Sequence, residues 1–149
     1  MVARETKPEE LVNQLAAEIR ILEESISTLQ SRLEIVRSAI GEVTNAQAAL
    51  EGLSKMQEGE ETLVPTGAGS YVRMKLADPK KLVMVLGSGT AMEKDFPSSV
   101  GDMKTRLFDL DKARTSIQQQ LEQTLARYDQ DRDALNQLIR AARGGTTAS

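Results

Sequence analysis

The chain has 149 residues and a net charge of −3, with charges of both signs interspersed along its length. It has no Cys, no His and only two Tyr and two Phe, which excludes disulfides, imidazole-based triads and the common zinc and haem ligands. No basic cluster indicates a nucleic-acid partner. The sequence shows neither the apolar segment of a secretory leader nor a run of 18 apolar residues, and we expect a cytoplasmic protein.

A heptad pattern of aliphatic residues occupies the N-terminal third. Counting alternately three and four from Val12, eleven of the first twelve positions are aliphatic and only Gln47 is polar. This pattern is typical of a coiled-coil seam, in which a polar residue at position a fixes the register. Thr6 and Glu9 have the spacing of a capping box at the helix start. We predict a coiled-coil helix over residues 8–57.

Residues 58–97 interrupt the helical pattern with glycines, prolines and β-branched residues. Four short runs separated by three turn signals predict two consecutive β-hairpins. The strands are expected at 62–64, 72–76, 81–86 and 90–96, with Pro65 ending the first. Leu53 and Met56 step off the heptad, and we expect them to pack against this insert.

Two glycine-rich triplets separate the strands within each predicted hairpin. Gly67-Ala68-Gly69 and Gly87-Ser88-Gly89 are typical of turns that need positive φ. A phosphate-binding loop is the alternative interpretation. Neither triplet precedes a helix start, and no Gly-Lys-Ser/Thr is present, so turns are favoured.

The β insert is too small to cover its own apolar residues, because isolated hairpins are marginal in water and exposed edges aggregate. We predict that it is an assembly module, covered by the same unit of another chain. A self-contained cap within one chain is the alternative. The expected assembly residues are Leu63, Val64, Val72, Met74, Leu76, Leu82, Val83, Met84, Val85 and Leu86.

A second heptad pattern follows the last proline, and ten of its thirteen seam positions are apolar. The polar exceptions are Arg114, Thr124 and Asp131, and the pairing is expected to loosen at the first and last of these. Ser99 and Asp102 offer a capping pattern at the start, and Gly144-Gly145 is expected to stop the helix. We predict a coiled-coil helix over residues 98–143 and a disordered tail over residues 144–149.

The two predicted helices have similar lengths and one apolar stripe each. They pair most simply as an antiparallel hairpin, because a parallel coiled coil would have to accommodate the 40-residue insert. The predicted fold class is mainly α with a small β insert: a long antiparallel coiled-coil helical hairpin joined by two β-hairpins. We expect a single domain spanning residues 1–149.

Two motifs of the insert, "LVPTGAGSYV" and "GSGTAMEK", lie between two coiled-coil helices. In this order they resemble α-class prefoldin subunits of the archaeal type, over residues 8–143. Thr66 and Thr90 depart from the family pattern, which more often has apolar residues there. The resemblance implies an ATP-independent molecular chaperone. It implies no enzymatic activity, catalytic residue, cofactor or metal.

The resemblance also implies partners. Two α-class and four β-class subunits would assemble through their β-hairpins into a hetero-hexamer, and the coiled-coil tips would bind unfolded polypeptide and pass it to a group II chaperonin. The alternative is a structural coiled-coil scaffold that oligomerises through the insert and binds folded partners. Composition and periodicity alone do not separate the two.

The implied client-binding surface lies at the helix tips, where apolar side chains not needed by the seam are of interest. Leu11 falls at heptad position g and Ile139 at position e, beside the seam. The predicted tip set is Leu11, Val12, Leu15, Leu135, Leu138 and Ile139. The four seam members of this set could equally hold the last heptads together. Ile21 and Ile35, both at position c, are expected to line an inner cavity, although single exposed Ile residues are common.

Overall fold

The computed structural model describes residues 7–146. Its two helices are α1 (Pro8–Ser54) and α2 (Phe96–Thr146). Between them lie four strands: β1 (Glu61–Gly67), β2 (Ser70–Lys75), β3 (Lys81–Gly87) and β4 (Thr90–Asp95). β1 pairs antiparallel with β2, and β3 with β4, as two separate two-stranded sheets. The predicted fold class, a coiled-coil helical hairpin joined by two β-hairpins, is confirmed.

The chain divides into two compact units. The helical unit consists of residues 7–37 and 112–146, and the hairpin unit consists of residues 38–111. Both helices contribute residues to both units, and all four strands belong to the hairpin unit.

Side-chain burial in the helical unit follows the heptad pattern. Every predicted seam position from Val12 to Val36 on α1 is buried or half-buried, and so is every one from Arg114 to Leu138 on α2. Burial of one stripe per helix is what a coiled-coil seam requires. The seam does not open at Asp131, whose side chain is only 9% exposed.

Polar contacts beside the seam fix the antiparallel register of the helical unit. Arg127 Nη2 donates to Glu18 Oε1 at 2.5 Å, and the Tyr128 hydroxyl donates to Glu23 Oε1 at 3.2 Å. The Arg132 guanidinium stacks over the Tyr128 ring at 5.7 Å from its centre. The four charged residues flank the seam at positions e and g, as is usual in coiled coils, whereas Tyr128 is itself a seam residue.

In the hairpin unit the helices bury Val43 and Phe96, which are 9% and 4% exposed. Leu53 and Met56 line an apolar groove with Val64 of β1. Both side chains therefore border the insert, although α1 ends between them at Ser54.

The end of α1 and the start of β1 differ from the predicted boundaries. α1 ends at Ser54, three residues before the predicted position 57, and the next turn is closed by the Gln57 amide donating to Glu60 Oε2 at 2.9 Å. β1 continues through Pro65 to Gly67. Pro65 does not end the strand, because a register shift immediately after it forms a bulge, a place that tolerates the missing N–H.

The start of α2 also differs from the prediction. The helix begins at Phe96, and Asp95 is its N-cap, since Asp95 Oδ1 accepts from the Ser98 amide at 2.7 Å. The predicted cap at Ser99 is wrong: Ser99 lies inside the helix and is fully buried. Asp102 instead pairs with Lys94 Nζ at 2.5 Å. Pro97 is compatible with this earlier start because the first helical turn needs no N–H partner.

At its other end α2 passes through Gly144-Gly145 and reaches Thr146. The prediction that these glycines stop the helix is wrong. A glycine costs a helix only about 1 kcal/mol relative to Ala, so two near the end can be carried by the preceding turns. The remainder of the predicted tail, 147–149, and the predicted cap residue Thr6 lie outside the described residues.

Both hairpins turn in the same way. Ala68-Gly69 and Ser88-Gly89 form two-residue loops in which every residue has positive φ, between 51° and 75°. This is the pattern of type I′ turns, whose twist matches that of the strands. The predicted glycine turns are confirmed.

The two threonines that depart from the family pattern support these turns. Thr66 Oγ1 lies 2.6 Å from Ser70 Oγ, which donates to the Gly67 carbonyl, also at 2.6 Å. Thr90 Oγ1 donates to the Gly87 carbonyl at 2.7 Å. Hydroxyl bonds to the backbone therefore hold both hairpin ends.

Candidate functional surfaces

The predicted tip residues lie together at one end of the helical unit. The register set by Glu18 and Arg127 brings the first turns of α1 beside the last turns of α2. Leu11 and Ile139 are each 37% exposed, as expected for apolar residues outside the seam. The four other members are half-buried: Val12, Leu15, Leu135 and Leu138. The geometry gives a narrow apolar strip flanked by charged residues, which suits non-directional contact with an apolar chain.

Ile21 and Ile35 lie apart from this strip, on α1. They are 63% and 69% exposed, more than Leu11 and Ile139 of the tip. Ile21 borders a shallow hollow whose other walls include Glu24, Thr28 and Gln123. Polar walls beside Ile21 make this hollow a less apolar surface than the tip, and the cavity-lining role of both residues stays a prediction.

The ten predicted assembly residues divide between the two faces of the hairpins. Val64, Leu82 and Met84 are half-buried, and Met84 borders a hollow with Val43 and Met103 of the helices. Leu76, just after β2, is half-buried as well. The other six are 43–76% exposed: Leu63, Val72, Met74, Val83, Val85 and Leu86. One face of β1 and of β3 therefore lies toward the chain's own helices. Much of the apolar surface is left to solvent, including Val72 and Met74 on the same face as Val64.

The strand β3 shows this imbalance most clearly. Its run of apolar residues predicts cover on both faces, and Leu82 and Met84 have it on one. Val83 and Val85, on the opposite face, are 68% and 76% exposed. Long exposed apolar strands are aggregation-prone unless something covers them.

Two exposed apolar residues of the described helices escaped the sequence reasoning. Phe108 on α2 is 60% exposed in the hairpin unit, and Leu125 is 38% exposed in the helical unit. Both lie outside the seam positions, and that offset was the signal that could have identified them. Leu125 matches Leu11 and Ile139 in exposure, which makes it a useful control position.

Within the described residues no group of three or more carboxylates is arranged to hold a metal ion. No helix in residues 7–146 is long and apolar enough to cross a membrane.

Comparison with known proteins decides the family. The model of the prefoldin subunit family matches residues 22–141, most of the chain and all four strands. The chain belongs to the prefoldin family. It is therefore a subunit of a chaperone and not an enzyme.

The similar curated proteins are archaeal α subunits. The prefoldin subunit alpha of Nitrosopumilus maritimus is 31% identical over 133 residues, which cover 89% of this chain and 91% of that protein. That of Methanobrevibacter smithii is 34% identical over 72% of this chain and 75% of its own length. A solved structure, a filamentous prefoldin from Methanocaldococcus jannaschii, matches 82% of this chain and 95% of its own with 23% identity and a TM-score of 0.48.

These relatives confirm the α-class, archaeal-type resemblance drawn from the two insert motifs. Association with other prefoldin subunits follows from the family. The individual residues of the tip and of the assembly faces are tested by none of these comparisons, and they stay predictions.

Proposed function

We propose that this prefoldin subunit binds unfolded polypeptide at the apolar end of its helical unit, without ATP. The supporting observation is that Leu11 and Ile139 are exposed beside a seam that does not need them. Unfolded chains differ in sequence, so they are best held by adaptable apolar contacts rather than by specific hydrogen bonds.

The proposal assigns assembly to the hairpins. Two copies of this chain and four β-class subunits form a hetero-hexamer in the cytoplasm and deliver the bound chain to a group II chaperonin. The exposed faces of β2 and β3 support this assignment, because they leave apolar residues uncovered in a single chain. No cofactor or metal takes part.

The test of client binding uses the chain assembled with an archaeal β-class subunit. Leu11→Ser with Ile139→Ser removes the exposed apolar groups and keeps the seam. We expect the double variant to suppress the aggregation of a chemically unfolded client several-fold less well, measured by light scattering without ATP. Leu125→Ser is the control, since it removes an equally exposed leucine elsewhere in the helical unit.

A double variant that protects as well as the wild type, or a Leu125→Ser variant that loses as much, would place client binding elsewhere. If the wild-type complex gives no protection to any unfolded client, the scaffold alternative is favoured. Binding of folded partners would then be the activity to measure.

A further inference from the structure

The side chains of this protein that oxidise most readily are methionines, and five of the six lie in the hairpin unit. The chain has no Cys, no Trp and no His, so the methionine thioether is its principal target for peroxides. Residues 7–37 and 112–146, the described part of the helical unit, contain no methionine. Mild oxidation of the described chain is therefore directed to the hairpin unit, at Met56, Met74, Met84, Met92 and Met103.

Each hairpin has one exposed methionine at a comparable position. Met74 is 52% exposed and Met92 is 44% exposed, whereas the other three methionines of the hairpin unit are half-buried. Met74 lies in β2 and pairs with Thr62, and Met92 lies in β4 and pairs with Met84. Directly paired residues share one face of a sheet. Each exposed methionine is therefore on the second strand of its hairpin, on the face that carries the half-buried residues of the first strand.

Both exposed methionines have apolar neighbours. Val72, two residues before Met74 on the same face, is 43% exposed. Met84, which pairs with Met92, borders the hollow that it shares with Val43. The methionine side chain is flexible and unbranched, so it adapts readily to the surface of a partner. The two exposed thioethers thus belong to the apolar hairpin surface that a single chain leaves uncovered.

We propose that Met74 and Met92 are modification sites through which peroxide controls assembly, because their oxidation in the unassembled chain keeps the hairpins from joining other prefoldin subunits. The oxidant is a hydroperoxide such as hydrogen peroxide. The sulfur lone pair attacks one peroxide oxygen, an S–O bond forms as the O–O bond breaks, and water leaves. The sulfur is oxidised by two electrons, and the peroxide is reduced by two. A thiol-dependent reductase reverses the change, giving the thioether, water and a disulfide of the reductant.

The sulfoxide has different consequences in the free and the assembled chain. It is polar where the thioether is apolar. In the free chain both sites are about half exposed, so the sulfoxide oxygen stays hydrated and the fold persists. In an assembled complex the same oxygen would be buried without a partner, which disfavours association. Assembly in turn covers both sulfur atoms, so the modification acts mainly on subunits that have not yet assembled.

This inference rests on the proposed role of the hairpins in assembly, and not on client binding. Its test treats the purified full chain with hydrogen peroxide, removes the peroxide and maps the sulfoxides by peptide mass spectrometry. We expect Met74 and Met92 to oxidise several-fold faster than the half-buried methionines, because the peroxide must reach the sulfur. In a complex formed before treatment, both should oxidise several-fold more slowly than in the free chain.

The oxidised chain is then mixed with an untreated archaeal β-class subunit. Native mass measurement should show association weakened about tenfold or more, while circular dichroism shows unchanged helical content. Treatment with the two methionine sulfoxide reductases, one for each sulfoxide epimer, should restore the complex.

Three double variants assign the effect to these two residues. Met74→Leu with Met92→Leu conserves volume and cannot be oxidised, so it should form the complex before and after peroxide. Met84→Leu with Met103→Leu is the matched control, because it removes two half-buried methionines of the same unit and should stay sensitive. Met74→Gln with Met92→Gln makes both sites permanently polar and should weaken association without peroxide, with helical content unchanged.

An oxidised wild type that assembles like the untreated chain overturns the inference. So does a Met74→Leu/Met92→Leu variant that peroxide impairs as much as the wild type, or equal oxidation of both residues in the free chain and in the complex. If the untreated chain forms no complex with the β-class subunit, the assembly role of the hairpins is wrong and this inference with it. If the untreated chain assembles and peroxide changes nothing, only the inference is wrong. Client protection, measured on the untreated complex, tests the tips separately from both.

Discussion

At the scale of single residues, Asp131 shows how the helical unit tolerates a polar group in its seam. Its side chain is 9% exposed, and its Oδ2 atom is buried without a hydrogen-bond partner in the described structure. A buried polar atom that loses its hydrogen bonds to water and gains none in the protein lowers the stability of the fold. A polar seam residue also disfavours other registers of the two helices, so Asp131 is expected to lower the stability while favouring one register.

Asp131→Leu is expected to stabilise the chain. Filling the seam with an apolar side chain removes the uncompensated carboxylate, and the free energy of unfolding should rise by about 1–3 kcal/mol. Chemical denaturation followed by circular dichroism measures this change. Asp133→Leu, two residues along and exposed, should leave the value within about 0.5 kcal/mol. An Asp131→Leu chain less stable than the wild type would show that the carboxylate is held by favourable contacts.

At the scale of elements, the hairpins depend on turns that are not optimal. Ala68 and Ser88 adopt φ of 51° and 52°, a region that favours glycine or asparagine over residues of their kind. The loops nevertheless close, because Gly69 and Gly89 follow them and hydroxyl bonds brace the flanking residues.

Ala68→Asn should therefore stabilise the first hairpin, and Ser88→Asn the second, because Asn-Gly is the preferred type I′ pair. We expect the free energy of local opening to rise by about 0.5–1 kcal/mol in each case. Hydrogen exchange of the amides in β1 and β3 reports it. Ala77→Asn, in the connection between the hairpins, should slow exchange in neither. Faster exchange in Ala68→Asn would mean that the alanine makes a contact that asparagine cannot.

The elements also show how far sequence reasoning extends. Heptads identified the seam because burial at alternating steps of three and four is a strong periodic signal, and the glycine triplets identified both turns because positive φ is a strict local requirement. Helix ends were less accurate. Asp95 caps α2 although Ser99 has the better capping motif, because such a motif does not show at which residue the helix begins. The pairs of Glu18 with Arg127 and of Glu23 with Tyr128 were missed, because they depend on a register between segments more than 100 residues apart.

The candidate sites were predictable to a different degree. Exposure of Leu11 and Ile139 follows from their offset from the seam, whereas the unbroken apolar run of β3 does not reveal that Val83 and Val85 are left exposed. Their roles do not follow from it, because an exposed apolar side chain has the same pattern whether a client, a subunit or only water covers it. The client-binding residues therefore come from the resemblance, whereas the assembly residues come from the small size and apolar strands of the insert.

At the scale of the whole molecule, binding and assembly are assigned to different units of one chain. The helical unit has a buried seam and two exposed apolar groups at its end, whereas the hairpin unit leaves most of its strand residues exposed. If assembly belongs to the hairpin unit alone, changes there should abolish the complex without unfolding the helices.

Val83→Lys with Val85→Lys tests this separation. Both side chains lie on the face of β3 opposite to Leu82 and Met84 and are 68% and 76% exposed. The lysines are therefore tolerated in the single chain, but their charge would be buried in an assembled complex. We expect native mass measurements of the variant mixed with a β-class subunit to show no hexamer, while circular dichroism shows unchanged helical content. Ile21→Lys with Ile35→Lys is the matched control, because it replaces two similarly exposed aliphatic residues in the helical unit and should leave the hexamer intact.

Loss of the hexamer in both variants would show that assembly also uses the face of α1 that carries Ile21 and Ile35. If neither variant loses the hexamer, the face of β3 that carries Val83 and Val85 is not part of the interface. Because the lysines leave the tips unchanged, any client protection that remains in the variant measures how much binding a single pair of tips provides without its neighbours.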